Sequence, residues 1–196
     1  MIYNFLIGIF GGSFNPIHLG HLHVARSALK LQSINLKKVF IMPAKQNPFK
    51  KNILQPSFEE RLMGVDDFLK KHHINKHKIL SSEFESISKH YETFFVLKDL
   101  QKIAKYSNKI KWMMGLDTCD KFYKWGGFYN FINEFDIIII SRGTAIEKIK
   151  ILNSKTAKIL KHKICFDIKH YKTGILYINT KYVNISSTSI RKNTTN

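Results

Sequence analysis

The stretch Ile7–Leu22, IGIFGGSFNPIHLGHL, decides how the rest of the chain is read. Phe5 to Phe10 is a short apolar run, long enough for a buried strand and too short to cross a membrane. It stops at Gly11-Gly12, where a backbone without side chains can turn sharply and offer its N–H groups. Asn15-Pro16 is a second turn signal, and a periodic apolar segment begins just beyond it. Strand, glycine turn and helix make a junction that collects phosphate, because free N–H groups and the positive end of the helix dipole face one point.

His18-x-Gly20-His21 raises this above a generic glycine turn. Residues three apart on a helix share a face, so two first-turn imidazoles, little packed, would project beside the same phosphate site. Gly20 leaves room for a ligand against the backbone. The string GGSFNPIHLGH is neither the dinucleotide GxGxxG nor the Walker GxxxxGK[ST] pattern. It closely resembles the H-x-G-H signature of the nucleotidyltransferase superfamily. Members let a phosphate of one substrate attack the α-phosphate of a nucleoside triphosphate, releasing pyrophosphate.

Working outward, strands alternate with helices. Helical spacing runs from His18 to about Gln32, and VFIM at Val39–Met42 is a second strand. The polar, proline-marked stretch from Ala44 to Pro56 reads as a loop. Ser57 with Glu60 forms a capping box opening a helix to about Lys71. Ile79–Phe84 predicts a third strand, Tyr91–Ala104 a helix, Lys109–Met114 a strand ending at Gly115-Leu116-Asp117, and Phe135–Ile140 a strand ending at Ser141-Arg142-Gly143. Ile146–Lys161 predicts another helix and Ile175–Ile178 a last strand. The alternation predicts an α/β fold of one domain, residues 1–196: a Rossmann-like, doubly wound parallel sheet with helices on both faces. Ligands of such sheets bind beyond the carboxyl ends of the strands, where GGSF, GLD and SRG all fall.

Composition narrows the classes. The chain has 196 residues, 44% hydrophobic and 13% aromatic, enough to bury a core and unlike a disordered segment. Its formal net charge of +18 admits a nucleic-acid or membrane-surface binder. The lysines are spread along the whole chain, however, without a basic tail, which favours a solvated surface that attracts anionic nucleotides over nucleic-acid recognition. His72, His73 and His77 lie in a basic stretch without Cys or carboxylate and read as a solvated loop rather than a metal site. Two cysteines, Cys119 and Cys165, stand in no redox or metal spacing, as in a reduced cytoplasmic protein. No basic n-region precedes the first apolar run, so neither a signal peptide nor a membrane span is expected. Only four arginines occur, Arg26, Arg61, Arg142 and Arg191, and a chain this ready to use Lys keeps Arg where a planar fork is needed.

ISSTSIR, Ile185–Arg191, completes the pattern. A serine-threonine cap with an arginine one turn in makes a second anion site. Paired with H-x-G-H, it resembles the motif that grips the β- and γ-phosphates in the same superfamily. Phosphopantetheine adenylyltransferases usually carry threonine at the first histidine. The bacterial-type nicotinate mononucleotide adenylyltransferase is the closer likeness. That resemblance rests on Asn47-Pro48-Phe49-Lys50 after the second strand, Tyr91-Glu92-Thr93 opening a helix, Gly115, Asp117 and Trp125, and Arg142 after the fifth strand. Phe49 stands where the family usually has histidine, Gly126 where an aromatic is usual, and Asn15 where Asp is common.

The resemblance implies transfer of the adenylyl group of ATP to nicotinate mononucleotide in NAD biosynthesis. Related acceptors, nicotinamide mononucleotide or phosphopantetheine, and a non-catalytic nucleic-acid-binding protein stay as alternatives. It implies His18 and His21 as catalytic residues. Gly12, Ser13, Phe14, Gly115, Asp117, Ser187, Thr188 and Arg191 would join them around ATP. Asn15, Lys50, Thr93, Trp125 and Arg142 would meet the mononucleotide. Trp125 is open to two readings, a ring stacked on the pyridine or a buried core tryptophan. Mg²⁺ would be held by the ATP phosphates and water rather than by protein carboxylates. Neither nucleic acid nor membrane is an expected partner, and a homodimer is left open.

Overall fold

The computed structural model describes residues 6–45, 56–104, 110–141, 153–160, 163–180 and 187–194, with backbone alone for Ala104, Asp117 and residues 192–194. Seven strands form one parallel sheet in the order β3-β2-β1-β4-β5-β7-β6. They are β1 (Leu6–Gly12), β2 (Leu36–Pro43), β3 (Ile79–Ser81), β4 (Ile110–Gly115), β5 (Asp136–Ser141), β6 (Ile164–Cys165) and β7 (Ile175–Asn179). The described helices are α1 (Leu19–Leu29), α2 (Phe58–Lys71), α3 (Phe84–Ile87), α4 (Thr93–Ala104), α5 (Leu116–Cys119), α6 (Phe128–Glu134), α7 (Lys155–Ile159) and α8 (Ser187–Thr194).

Both sheet faces are covered, which is why the strands read as continuous apolar runs. On one face Ile9, Trp112, Met114, Ile137 and Ile139 pack with Leu97 of α4 and with Phe122 and Phe131. On the other, Phe10, Val39, Ile41, Met113, Ile138 and Ile140 meet Leu22, Ala25 and Ala28 of α1 and Val65 of α2. The isoleucine run of β5 is fully buried because alternate residues feed both cores. The chain reverses direction across the sheet between β1 and β4, so the crevice at their carboxyl ends is the topological switch point.

The expected alternation is present, with local differences. β1 runs through Gly11 and Gly12, which pair with Met42 and Pro43, so the turn begins at Ser13 rather than at the glycines. At Gly11 the reason is close approach: a Cβ there would interpenetrate the Trp112 ring. The third strand stops at Ser81, because the Ser82 hydroxyl accepts from Phe84 N–H at 3.3 Å and the chain turns into α3. The helix expected at 146–161 falls partly outside the described residues. Within them it is the short α7, capped by Ser154. No described helix is long and apolar enough to cross a membrane.

Candidate active site

α1 starts at Leu19, one residue later than the spacing predicts. His18 is its N-cap, in extended backbone with φ −154° and ψ 171°. His18 Nδ1 accepts from Gly20 N–H at 3.1 Å, and His21 Nδ1 accepts from His18 N–H at 3.3 Å. This is a capping box made of two histidines instead of Ser and Glu. The rings stack with centroids 3.8 Å apart. The imidazoles are therefore not the loosely packed first-turn groups expected from sequence, and His18 is only 5% exposed. The cap also fixes chemistry. An Nδ1 that accepts carries no proton, so each neutral ring holds its hydrogen on Nε2. The pair presents N–H donors suited to phosphate oxygen rather than lone pairs suited to a metal.

The turn before the histidines is tightly held. Phe14 takes φ 44°, a left-handed value that costs a non-glycine residue of order 1 kcal/mol. Packing holds it there, since its ring lies edge-on to Phe10 at 5.4 Å and to His21 at 4.9 Å. Gly12 fits beside the same ring, with a built Cβ 3.1 Å from it. Asn15 is buried, and the Asn15–Pro16 peptide is cis.

α8 docks onto this turn. Ser187 Oγ donates to the Pro16 carbonyl at 2.9 Å. Arg191 donates to the Asn15 carbonyl and, at 3.3 Å, to Thr188 Oγ1. Two motifs more than 170 residues apart are thus brought together. Gly115 closes β4 in extended backbone and caps α5, placing Asp117 on that helix beside the switch point. Its side chain lies outside the described atoms.

On the α4 side, Thr93 opens the helix. Built Cβ atoms show how the 91–94 and 125–127 segments interlock: at Gly126 a Cβ would overlap the Glu92 carboxylate, and at Gly127, with φ 69°, it would meet Phe94 at 3.2 Å. Gly126 thus stands where a side chain would displace Glu92. Trp125 is half-buried, edge-on to Phe122 at 5.2 Å and to Trp112 at 5.9 Å. One edge of Trp125 therefore belongs to the core, while the residue as a whole is not fully buried. Lys45 Nζ stands 5.1 Å from the exposed Tyr91 ring. Lys50 and Arg142, with Asn47, Pro48 and Phe49, lie outside the described residues.

Two groups that the sequence did not single out reinforce the site. His23 Nε2 donates to Thr180 Oγ1 at 2.9 Å, because the Thr180 hydroxyl spends its own proton on the Ser141 carbonyl at 2.7 Å. α1 is thereby tied to the ends of β5 and β7. Burial, with a smaller contribution from Lys30, lowers the His23 pKa, which favours the neutral ring. Arg61 is buried on α2 and binds three backbone carbonyls. Its scarcity among lysines was the only signal in the sequence. Among the described residues no group of three His, Cys, Asp or Glu side chains is placed to hold a metal.

Comparison with known proteins gives the family and the fold. The model of the cytidylyltransferase-like family matches residues 9–193. A probable nicotinate-nucleotide adenylyltransferase of Pelagibacter ubique is 31% identical over 193 residues, covering 95% of this chain and 92% of the relative. One from Caulobacter is 34% identical over 143 residues, 72% of this chain and 71% of its own length. Among solved structures, Plasmodium falciparum nicotinic acid mononucleotide adenylyltransferase complexed with NaAD superposes with a TM-score of 0.69 at 22% identity, covering 96% of this chain and 83% of that one. At that identity the likeness speaks for the fold.

Proposed function

The chain belongs to the cytidylyltransferase-like family, and from that premise we propose that it transfers the adenylyl group of ATP to nicotinate mononucleotide. The products are nicotinate adenine dinucleotide and pyrophosphate. The observation that carries this reading is the histidine capping box with α8 docked on the turn before it. Relatives over nearly the whole chain are named for the same activity.

An acceptor phosphate oxygen forms a bond to the α-phosphorus of ATP as the bond from that phosphorus to the bridging oxygen breaks, and pyrophosphate leaves. A phosphate monoester is already anionic, so no general base is needed. Catalysis is alignment plus stabilisation of charge on the α-phosphate oxygens. His18 and His21 donate Nε2–H there, with the backbone N–H groups of Gly12, Ser13 and Phe14. Arg191, spanning Asn15 and Thr188, holds the outer phosphates with Ser187 and Thr188. Gly115 and Asp117 take the adenosine ribose. Asn15, Lys50, Thr93 and Arg142 hold the mononucleotide, and the open face of Trp125 stacks on its pyridine ring.

Mg²⁺, when bound with ATP, neutralises triphosphate charge. The donor set fits a cation carried on phosphate and water, since both imidazoles offer N–H at Nε2. The whole chain acts as one catalytic domain in the cytoplasm.

A pyrophosphate-release assay with ATP and either pyridine mononucleotide tests the reading. A site that pairs the nicotinate carboxylate leaves its donors opposed to the NH₂ of the amide, so kcat/KM should favour the acid by at least ~100-fold. Equal rates overturn the acid preference alone. No pyrophosphate with either acceptor, together with tight salt-sensitive RNA binding, overturns the enzyme reading in favour of a nucleic-acid-binding protein.

A further inference from the structure

α1 carries both histidines at its start, so the lie of this helix on the sheet decides where their rings point. Its buried side, Leu22, Ala25 and Ala28, shares a core with Met113, Ile138 and Ile140 of the strands. Apolar packing is non-directional, and two of these helix residues are alanines. Such a contact holds α1 down without fixing its slant. On one flank the His21 ring meets Phe14 and Phe10, with centroids 4.9 and 6.0 Å away. His23, two residues on, projects about 200° round the helix, toward the other flank.

There it meets a fixed post. Thr180 follows β7 and is bound twice to the end of β5. Its N–H and its hydroxyl both donate to the Ser141 carbonyl, at 3.3 and 2.7 Å. Ser141 Oγ in turn donates to Asn179 Oδ1 at 3.1 Å. With its proton spent on Ser141, Thr180 Oγ1 accepts from His23 Nε2–H at 2.9 Å. Ser27 Oγ, one turn further along α1, stands 3.5 Å from the same nitrogen. In the sheet β7 lies three places from β1, with the switch point between them. The bond therefore runs from the helix that follows β1 to the far half of the sheet. Unlike the apolar side of α1, it has a direction and a length.

We propose that His23 is a positioning residue that fixes the slant of α1 against Thr180 and so aims the His18 and His21 Nε2–H donors at the α-phosphate. The proposal rests on the adenylyl-transfer reading above. His23 acts through the helix and not on substrate. Misplacement of reacting groups by about 1 Å costs on the order of a hundredfold in rate. The loss falls on kcat, because donors aimed at a developing charge act in the transition state.

The experiment compares wild type with His23→Leu, His23→Gln, Thr180→Val and the double variant His23→Leu/Thr180→Val, with melting temperatures alongside. In His23→Leu and in Thr180→Val kcat should fall at least ~10-fold, while the KM values for ATP and nicotinate mononucleotide stay within about threefold. His23→Gln keeps an N–H donor at similar reach and should hold kcat within about threefold of wild type. The double variant should be no slower than the slower single one, since both remove the same bond. If His23→Leu does not fold, Thr180→Val and His23→Gln decide. A lowered Tm with unchanged kcat in a folded variant, equal losses in His23→Gln and His23→Leu, or losses that multiply in the double variant each overturn the proposal and leave His23 as a structural tie.

The ¹⁵N resonances of the imidazoles read the aim without turnover. Those of His18 and His21 should move in His23→Leu and Thr180→Val and return in His23→Gln, and resonances unmoved by His23→Leu overturn the proposal. A wild type that releases no pyrophosphate but shows this pattern of shifts would instead locate the failure in the adenylyl-transfer reading.

Discussion

Replacing His18 by asparagine separates the two jobs of that residue. The ring accepts the Gly20 N–H at 3.1 Å through Nδ1, and it stacks on His21 at 3.8 Å. Losing an N-cap bond to alanine costs about 1 kcal/mol, and losing an aromatic pair costs about another. Asparagine is among the best N-caps and places its amide oxygen where Nδ1 stood, so it forfeits only the stack. For a chain of this size 1 kcal/mol moves Tm by about 2–4 °C. His18→Asn should therefore melt roughly 2–4 °C early and His18→Ala roughly 4–8 °C early. Neither residue supplies the Nε2–H donor, so both variants should lose about 10²–10³ in kcat, the range for one preorganised donor at a developing charge. Calorimetry and pyrophosphate release on the same samples give the two axes. His18→Asn with turnover within threefold of wild type would refute the reasoning, reducing the imidazole to a cap.

Glu85 gives a pH signature. Burial pushes its carboxyl up from 4.5 to about 7, against the opposing pull of the Lys45 N–H and the Arg61 and Lys45 charges. Between those values the folded chain binds more protons than the unfolded one. Stability should therefore fall by roughly 3 kcal/mol as pH rises from about 4.5 to 7, then level off. Glu85→Gln should flatten the Tm profile through that window, and an unaltered profile would rule the carboxyl out as its source. Two glycines should respond oppositely to alanine. Gly11→Ala drives a methyl into the Trp112 ring between paired strands and should cost about 3 kcal/mol or abolish folding, whereas exposed Gly64 on α2 has nothing within 4 Å and should gain roughly 0.5–1 kcal/mol. Urea titration reads both, and wild-type stability of Gly11→Ala would contradict the packing described.

The sheet was legible because its strands are buried on both faces and stand out as short apolar runs between turn signals. The strings at 11–21 and 185–191 stood out in the sequence as a glycine turn with paired histidines and a serine-threonine helix start, and Ser187 and Arg191 do meet the first of them. What the pattern rules missed has physical causes. Rules for helix starts look for Ser, Thr, Asp or Asn, so a histidine cap moved α1 by one residue. α6, FYNFINE, is mostly aromatic and polar without a clean helical stripe, and it follows Gly127 in a left-handed conformation. Arg61 meets the Ser13 carbonyl 48 residues away, an encounter that no local pattern encodes. The His23–Thr180 contact spans 157 residues and is hidden for the same reason.

The bonds from Ser187 and Arg191 to Pro16 and Asn15 span 171 and 176 residues. Closing so long a loop in an unstructured chain costs about 4–5 kcal/mol of entropy, so the contact is cheap only once the sheet has gathered both partners. During translation the histidine turn leaves the ribosome early, with strands β1, β2, β4 and β5 free to assemble behind it. The contact of α8 with the turn at Asn15 and Pro16 arrives only after β7. A nascent chain therefore carries the histidine turn for most of its synthesis before Ser187 and Arg191 can close on it, and that contact comes in one step, with α8.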